Sequence, residues 1–205
     1  MRSLKSVLFN KAVRWLVFVG LAGLLRVAAA QGAVDLSQFE VERGPDEVTV
    51  SAQLQFELSS TVEDALLKGI PMVFVAEAEV LKERWYWSDK SMGSATRQFR
   101  LAFQPLTRRW RLNVSTGPGP ATGLGLALNQ SYDTLPQALS AIKRISRWKV
   151  ANTSDLDPSQ RYRLEFRFRL DLGQLPRPFQ IGALGQSEWD VALARFVILA
   201  PEAAK

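Results

Sequence analysis

The sequence predicts a mainly β fold, an antiparallel β-sandwich-like domain of about eight strands with two short helices that follows an N-terminal signal peptide. Two long segments, "VTVSAQLQFEL" and "RYRLEFRFRLDL", alternate strictly between apolar and polar residues. This period of two is typical of antiparallel strands that place one face on a core and the other in water. Apolar residues at helical spacing occur in short segments only, so helices form a minor part of the predicted fold.

Residues 1–30 have the pattern of a secretory signal peptide. "MRSLKSVLFNKAVR" is basic without an acid, the apolar run from Trp15 to Leu25 follows, and Ala28 and Ala30 supply small residues before a cut. The alternative is an uncleaved signal that keeps the protein at the inner membrane. The apolar run has 11 residues, short of the roughly 20 that span a bilayer. We therefore expect cleavage after Ala30 and no membrane span afterwards.

The net charge and the absence of cysteine characterise the chain that is expected to remain after cleavage. Removal of residues 1–30 takes away five of the 26 basic residues and none of the 20 acidic ones, so the net charge falls from +6 to +1. Such a balance does not favour nucleic acid as a partner, because phosphate binding needs a sustained positive field. We expect residues 31–205 to be one β-rich periplasmic domain that is stabilised by its core, since no cysteine is present to form a disulfide.

The first half of this domain is predicted to alternate between strands and one helix. A short strand in "FEVERGPDE" ends in a turn at residues 44–46, and "VTVSAQLQFEL" follows. In "SSTVEDALLKGIP", Ser60 is predicted as the N-cap with Glu63 in a capping box, and Gly69 ends the helix. The next predicted strand, "MVFVAEAEVLKERWYW", reaches Trp87.

The second half begins with a predicted hairpin. "SATRQFRLAFQP" and "RRWRLNV" are strands joined by a turn at residues 105–107, and a Gly- and Pro-rich loop follows. "DTLPQALSAIKRISRW" is predicted as a helix that starts at Asp133 or Thr134 and carries an apolar stripe as far as Ile145.

The C-terminal part contains two further predicted strands. "RYRLEFRFRLDL" is the first, and the two prolines of "LPRPFQIG" are interpreted as an edge connection. "EWDVALARFVIL" is the second. Because its far end is apolar on both faces, we expect that end to be covered.

The absence of histidine and cysteine excludes several kinds of active site. Ser–His and Cys–His nucleophile pairs, the usual zinc sites and haem ligation all need these residues. A carboxylate-based hydrolase remains, with Glu77 and Glu79 about 7 Å apart on one strand face, which falls within the range of an inverting glycosidase pair. Nothing else in the sequence marks a cleft. We therefore expect a protein that is not an enzyme and has neither a cofactor nor a metal site.

The candidate surface for a partner or ligand is built on the aromatic stretch "RWYWSDK". Its aromatic side chains either seal the end of the sandwich or form a platform for a sugar ring or a peptide. Arginines on neighbouring strands either bind an anionic partner or pair with acids across strands. The candidate residues are Arg84, Trp85, Tyr86, Trp87, Arg109, Trp110, Arg111 and Arg177.

Several long motifs resemble those of one protein family. They are "VEDALLKGIPMVFVAEAEV", "RWYWSDK", "QPLTRRWR", "SYDTLPQALSAIKRISRWK" and "RFRLDLGQLPRPFQIG". Together they resemble an exported proteobacterial domain-of-unknown-function family, number 4390, some of whose members are called proline-rich signal peptide proteins. The resemblance implies a periplasmic protein of a Gram-negative bacterium, in a family whose genes often lie beside those of a sensor kinase and its response regulator. It implies no catalytic residue.

Three functions are compatible with the sequence. The leading hypothesis is a non-enzymatic periplasmic domain that binds another protein near envelope signalling, such as an inner-membrane sensor kinase. The alternative is a module that binds envelope carbohydrate through exposed Trp85, Trp87 and Trp110. The third is the carboxylate-based hydrolase that uses Glu77 and Glu79.

Overall fold

The computed structural model describes residues 34–84, 88–117, 127–183 and 185–201. Within them, nine strands form two antiparallel sheets, which confirms the mainly β prediction. The strands are β1 (Asp35–Arg43), β2 (Glu47–Gln55), β3 (Met72–Lys82), β4 (Lys90–Gln104), β5 (Arg109–Thr116), β6 (Ala127–Tyr132), β7 (Arg144–Asn152), β8 (Tyr162–Leu170) and β9 (Ala192–Leu199). The helices are α1 (Ser60–Leu67), α2 (Leu135–Lys143) and α3 (Arg177–Ala183). The predicted signal peptide lies outside the described residues.

The strands are arranged as a small and a large sheet. Sheet A has the order β1-β2-β7, and sheet B has the order β6-β5-β4-β3-β8-β9. The predicted alternation of β8 is confirmed, because every second residue from Tyr162 to Leu170 is buried. β2 also follows its predicted pattern, except that Thr49, predicted to face water, is buried. Period-two patterning therefore determines which face of each sheet enters the core.

Aromatic contacts between the two sheets stabilise the core. The ring of Phe56, which follows β2, lies 5.8 Å from that of Phe74 and 5.5 Å from that of Phe168, centroid to centroid. Phe39 of β1 contacts Phe166 of β8 at 5.5 Å. Burial of each such side chain contributes roughly 1.5–3 kcal/mol, which explains how the fold is stable without disulfides.

Sheet A approaches sheet B most closely where β7 crosses β4. A Cβ atom on Gly93 of β4 would lie 2.6 Å from Cβ of Ala151 and 2.9 Å from the carbonyl oxygen of Val150. Side-chain atoms do not approach this closely, so only glycine allows the crossing. β4 thereby covers the end of β7 that carries Ala151.

α1 lies where it was predicted, with a different N-cap. The backbone N–H of Val62 donates to Oγ of Ser59 at 3.3 Å, so Ser59 caps the helix and the prediction of Ser60 was wrong by one residue. The same hydroxyl of Ser59 donates to the carbonyl oxygen of Glu188, a tertiary contact that the local sequence does not indicate. Gly69 ends the helix in the left-handed region, at φ +85°, as predicted.

The second predicted helix was too long, and a strand was missed. α2 is capped by Thr134, as predicted, but it ends at Lys143, and Ile145 belongs to β7. The period of β7 is concealed because its pairing with β2 shifts register near Arg147, which has a φ of +40°. The resulting bulge places the buried Ile145 and Trp148 three residues apart, a spacing that also fits a helix.

Two other boundaries differ from the prediction. β3 ends at Lys82, so the expected strand does not continue through Glu83 and Arg84. "LPRPFQIG" forms α3 rather than an extended edge connection. Pro176 and Pro178 lie at the start of this helix, where the missing N–H groups leave no helical hydrogen bond unmade.

Candidate functional site

The outer face of sheet B contains the outward arginines of β8, which are ion-paired with neighbouring acids. Arg169 lies 3.2 Å from Oε1 of Glu77 on β3, and Arg167 lies 2.6 Å from Oε2 of Glu165 on its own strand. The Arg169–Glu77 pair confirms the predicted pairing across strands, whereas Arg167 pairs within its own strand, which was not predicted. Both pairs make these arginines a poor site for a free anion, because carboxylates already neutralise them.

Arg163 joins β8 to the segment that contains the aromatic stretch. Its guanidinium pairs with Glu83 at 3.3 Å, with Glu165 at 3.2 Å and with Asp89. Glu83 and Asp89 lie on opposite sides of residues 85–87 in the chain. Arg163 therefore holds both flanks of this stretch against β8. The structure does not describe Trp85, Tyr86 and Trp87, so their predicted role stays a prediction.

The other candidate residues are distributed over separate elements. Trp110 is 6% exposed and packs on Phe103 at 4.9 Å between ring centroids, so its assignment to a binding surface was wrong. Arg109 pairs with Asp133 at 3.1 Å. Arg84 and Arg177 are exposed, as is Arg111 on the outer face of β5. Tertiary packing of the hairpin buries the indole of Trp110. The sequence pattern alone does not distinguish a tryptophan in the core from one in a cleft.

The carboxylates proposed for a hydrolase lie in a surface depression of about 180 Å³. Glu77 forms an ion pair with Arg169, whereas Glu79 lies opposite Glu165 in the β3–β8 register. Neighbouring like charges of this kind are destabilising by a few tenths of a kcal/mol or more. Among the described residues, no group of three acidic side chains is arranged to hold a metal ion.

One arginine faces the interior between the sheets. The guanidinium carbon of Arg97 lies 5.1 Å from the ring centroid of Trp148, a cation–π contact with β7. Burial lowers the pKa of Arg97 from its ordinary value, because the charged form loses solvation. Sequence reasoning missed this contact with Trp148, because the segment of β7 was interpreted as helix.

β9 has an exposed apolar row that sequence reasoning did not identify as a site. Its side chains on the outer face of sheet B are all apolar and all exposed: Ala192, Ala194, Phe196 and Ile198. Phe196 is 64% exposed and Ile198 is 50% exposed. The expectation that this end of the strand is covered was therefore wrong. The signal was present in the sequence as a strand with apolar residues on both faces.

β9 is also an open edge of its sheet. In the part of the chain that the structure describes, β8 is its only strand neighbour. It contains neither proline nor a bulge, and Arg195 is its single charge, with no ion pair to any described residue. Proteins normally protect such edges with charges, proline or bulges, because an open edge can pair with another chain. We call the surface formed by residues 192–198 the β9 edge.

A groove of about 500 Å³ lies at the start of the β9 edge. Ala192 belongs to both the edge and the groove. The buried side chains of Trp189 and Val191 form part of its lining, together with Leu170 and Leu172. The apolar surface of the β9 edge therefore continues into a concave site, the shape that binding sites prefer. Polar residues that include Arg169 and Asp190 also line this groove.

Comparison with known proteins gives one match. Neither the curated proteins nor the solved structures contain a match to this chain. None of the helices in the described residues combines the length and the apolarity that a membrane span needs. The model of one protein family, described as "Domain of unknown function (DUF4390)", matches residues 31–198. This match covers most of the sequence, and the chain therefore belongs to the DUF4390 family.

Proposed function

We propose that this protein is a non-enzymatic, exported periplasmic domain that binds another protein, near envelope signalling. The proposal rests on the β9 edge. An exposed apolar row on an open strand is a surface that soluble proteins normally protect, and such a surface is typical of protein interaction sites. The ion pair between Glu77 and Arg169 leaves the hydrolase hypothesis with less support. The burial of Trp110 does the same for the carbohydrate-binding hypothesis.

The partner surface differs from the one that the aromatic stretch indicates. The described candidate residues Arg84 and Arg177 are exposed, but neither belongs to an apolar surface of comparable extent. The exposed apolar row and the adjoining groove instead lie together at β9. We therefore assign the partner to the β9 edge, and an inner-membrane sensor protein remains the class of partner that the family neighbourhood favours.

Site-specific photo-crosslinking in intact cells tests this function. A photoreactive amino acid replaces Phe196, and the matched control carries it at Glu42 on β1, another exposed edge position. We expect a reproducible crosslinked partner from position 196, in the periplasmic fraction, and none from position 42. Ile198→Glu in the same chain is expected to abolish the product. A protein without a reproducible partner at position 196, or with equal crosslinking at both positions, would contradict the proposal.

A further inference from the structure

The β9 edge presents free backbone groups as well as apolar side chains. The N–H of Leu170 donates to the carbonyl of Val191 at 2.8 Å, and the β8–β9 register continues from Arg169↔Ala192 to Tyr162↔Leu199 without a shift. Antiparallel pairs alternate between hydrogen-bonded and non-hydrogen-bonded pairs. The backbone groups of residues 193, 195, 197 and 199 therefore point towards β8. Those of residues 192, 194, 196 and 198 point to the open side.

The same residues thus carry both the exposed apolar side chains and the unpaired N–H and C=O groups. We propose that β9 binds an extended segment of a partner protein as an added strand of sheet B. This rests on the partner-binding function proposed above and specifies its mode. Main-chain hydrogen bonds supply affinity in strand addition, and alternate side chains supply specificity.

The charge of β9 specifies the chemistry of the partner segment. Arg195 points to the inner face, opposite to the apolar row, and no described carboxylate pairs with it. The matching segment therefore alternates. It places apolar side chains next to Ala194, Phe196 and Ile198, and an acidic side chain opposite Arg195 on the other face.

A second copy of this chain is a poorer match to the edge. β9 contains no acid, so β9 of another copy places no carboxylate opposite Arg195 in any register. In the register centred on Arg195, the two guanidinium groups face each other, and like charges directly opposite are destabilising. Charge complementarity therefore favours a different polypeptide with an acidic residue.

The groove beside Trp189 extends the site beyond the strand. An added strand that runs antiparallel to β9 passes Ile198 first and leaves past Ala192, which lines the groove. The volume of about 500 Å³ accommodates one large apolar side chain. A partner segment with an aromatic or branched residue just beyond its paired stretch fits this arrangement.

Hydrogen exchange with a defined peptide tests the inference. The probe is a ten-residue peptide that alternates valine and threonine, with one glutamate in a central threonine position and a terminal phenylalanine. In the free protein, we expect the amides of Ala194, Phe196 and Ile198 to exchange quickly and those of Leu193 and Val197 slowly. The peptide is expected to protect the three fast amides.

Substitutions at β9 separate the backbone and charge contributions. Ala194→Pro removes one outward N–H without touching the bonds to β8, and we expect it to weaken peptide binding about tenfold. Ala194→Ser keeps the N–H and is the matched control. Arg195→Glu is expected to reverse the preference between the glutamate peptide and a lysine version by about two- to fivefold in each direction.

The outcomes distinguish this mode from partner binding in general. Equal binding to Ala194→Pro and Ala194→Ser, protection away from residues 194–198, or no binding at millimolar peptide would overturn strand addition. If the crosslinked partner of Phe196 survives Ala194→Pro in cells, partner binding stands and strand addition fails. If the peptide binds as expected but no partner is crosslinked, β9 accepts an added strand and the proposed partner-binding function fails.

Discussion

β1 and β9 are both outermost strands, yet their outward surfaces are opposite in character. β1 carries Asp35, Glu40, Glu42 and Arg43, and its pairing is interrupted by a bulge between Leu36 and Gln38. β9 carries one charge and pairs without a shift. Charges and bulges prevent unwanted pairing at an edge. The comparison shows that β1 is a protected edge of sheet A and that β9 is an open edge of sheet B.

β7, the other edge of sheet A, is protected in a third way. It carries Arg144, Arg147 and Lys149 and contains two register shifts. Its end at Ala151 is in addition covered by β4 at the Gly93 crossing. Sheet A therefore protects both of its edges, whereas β9 combines an unprotected edge with an exposed apolar row. This combination supports a specific role for β9.

The largest effect on stability is expected from disrupting the contact where β7 crosses β4. Gly93→Ala places a Cβ atom 2.6 Å from Ala151, so the strands must separate. We expect the free energy of unfolding to fall by about 2–3 kcal/mol, the upper part of the range for overpacking a core. Urea denaturation measures it. Gly182→Ala, where the added atom meets nothing within 4 Å, is the control and should not destabilise the protein. Equal behaviour of the two variants would show that β4 does not restrain β7.

A smaller effect is expected where Arg163 borders the β9 edge. Arg163 is opposite Ile198 in the register and neutralises Glu83, Asp89 and Glu165. Arg163→Met leaves three carboxylates without their shared cation, so we expect a loss of about 1–2 kcal/mol in unfolding free energy at low salt. Salt should reduce the difference between the variants, because it screens the repulsion. Arg161→Met, at an exposed arginine next to β8 without a described ion pair, is the control. A salt-independent loss would contradict this explanation.

The smallest effect on stability is expected from exchanging the character of the two edges. Glu40→Val with Glu42→Val removes two outward charges from β1. Phe196→Lys with Ile198→Glu gives β9 charges that are opposite in sign to Glu165 and Arg163, their partners in the register. Both pairs of positions are exposed, so unfolding free energies should change by about 0.5 kcal/mol or less per site. Association should change instead. Light scattering at rising concentration is expected to increase for the β1 variant. For the β9 variant it should stay at the level of the unmodified protein, because a second copy is a poor match to the β9 edge. If scattering by the β1 variant does not increase, edge charge does not control pairing in this protein.

Much of the fold was predictable because burial and strand period agree locally. The alternation in β8 and β2 identified their core faces, and the turn and hairpin signals located β4 and β5. β7 could not be predicted because a bulge at Arg147 interrupts its period and imitates helical spacing. α3 was missed because prolines at the start of a helix have the same local appearance as prolines in an edge connection.

The candidate site was less predictable than the fold. The outward position of Arg163, Arg167 and Arg169 followed from a local pattern, since a strand with one polar face places its charges in water. The burial of Trp110 and the contact of Arg97 with Trp148 depend on which strands meet across the core. No local pattern contains that information.

The sequence by itself determined the class of fold, which faces of the main strands are buried, and the balance of charge. It also excluded active sites that need histidine or cysteine, because the chain contains neither. These properties follow from composition and from the alternation of side chains along single strands. Only the tertiary structure decided that β9 is an outermost strand and that its apolar face stays uncovered. A strand with two apolar faces has the same sequence in the centre of a sheet as at its edge. Its neighbours decide whether that surface is core or open to a partner.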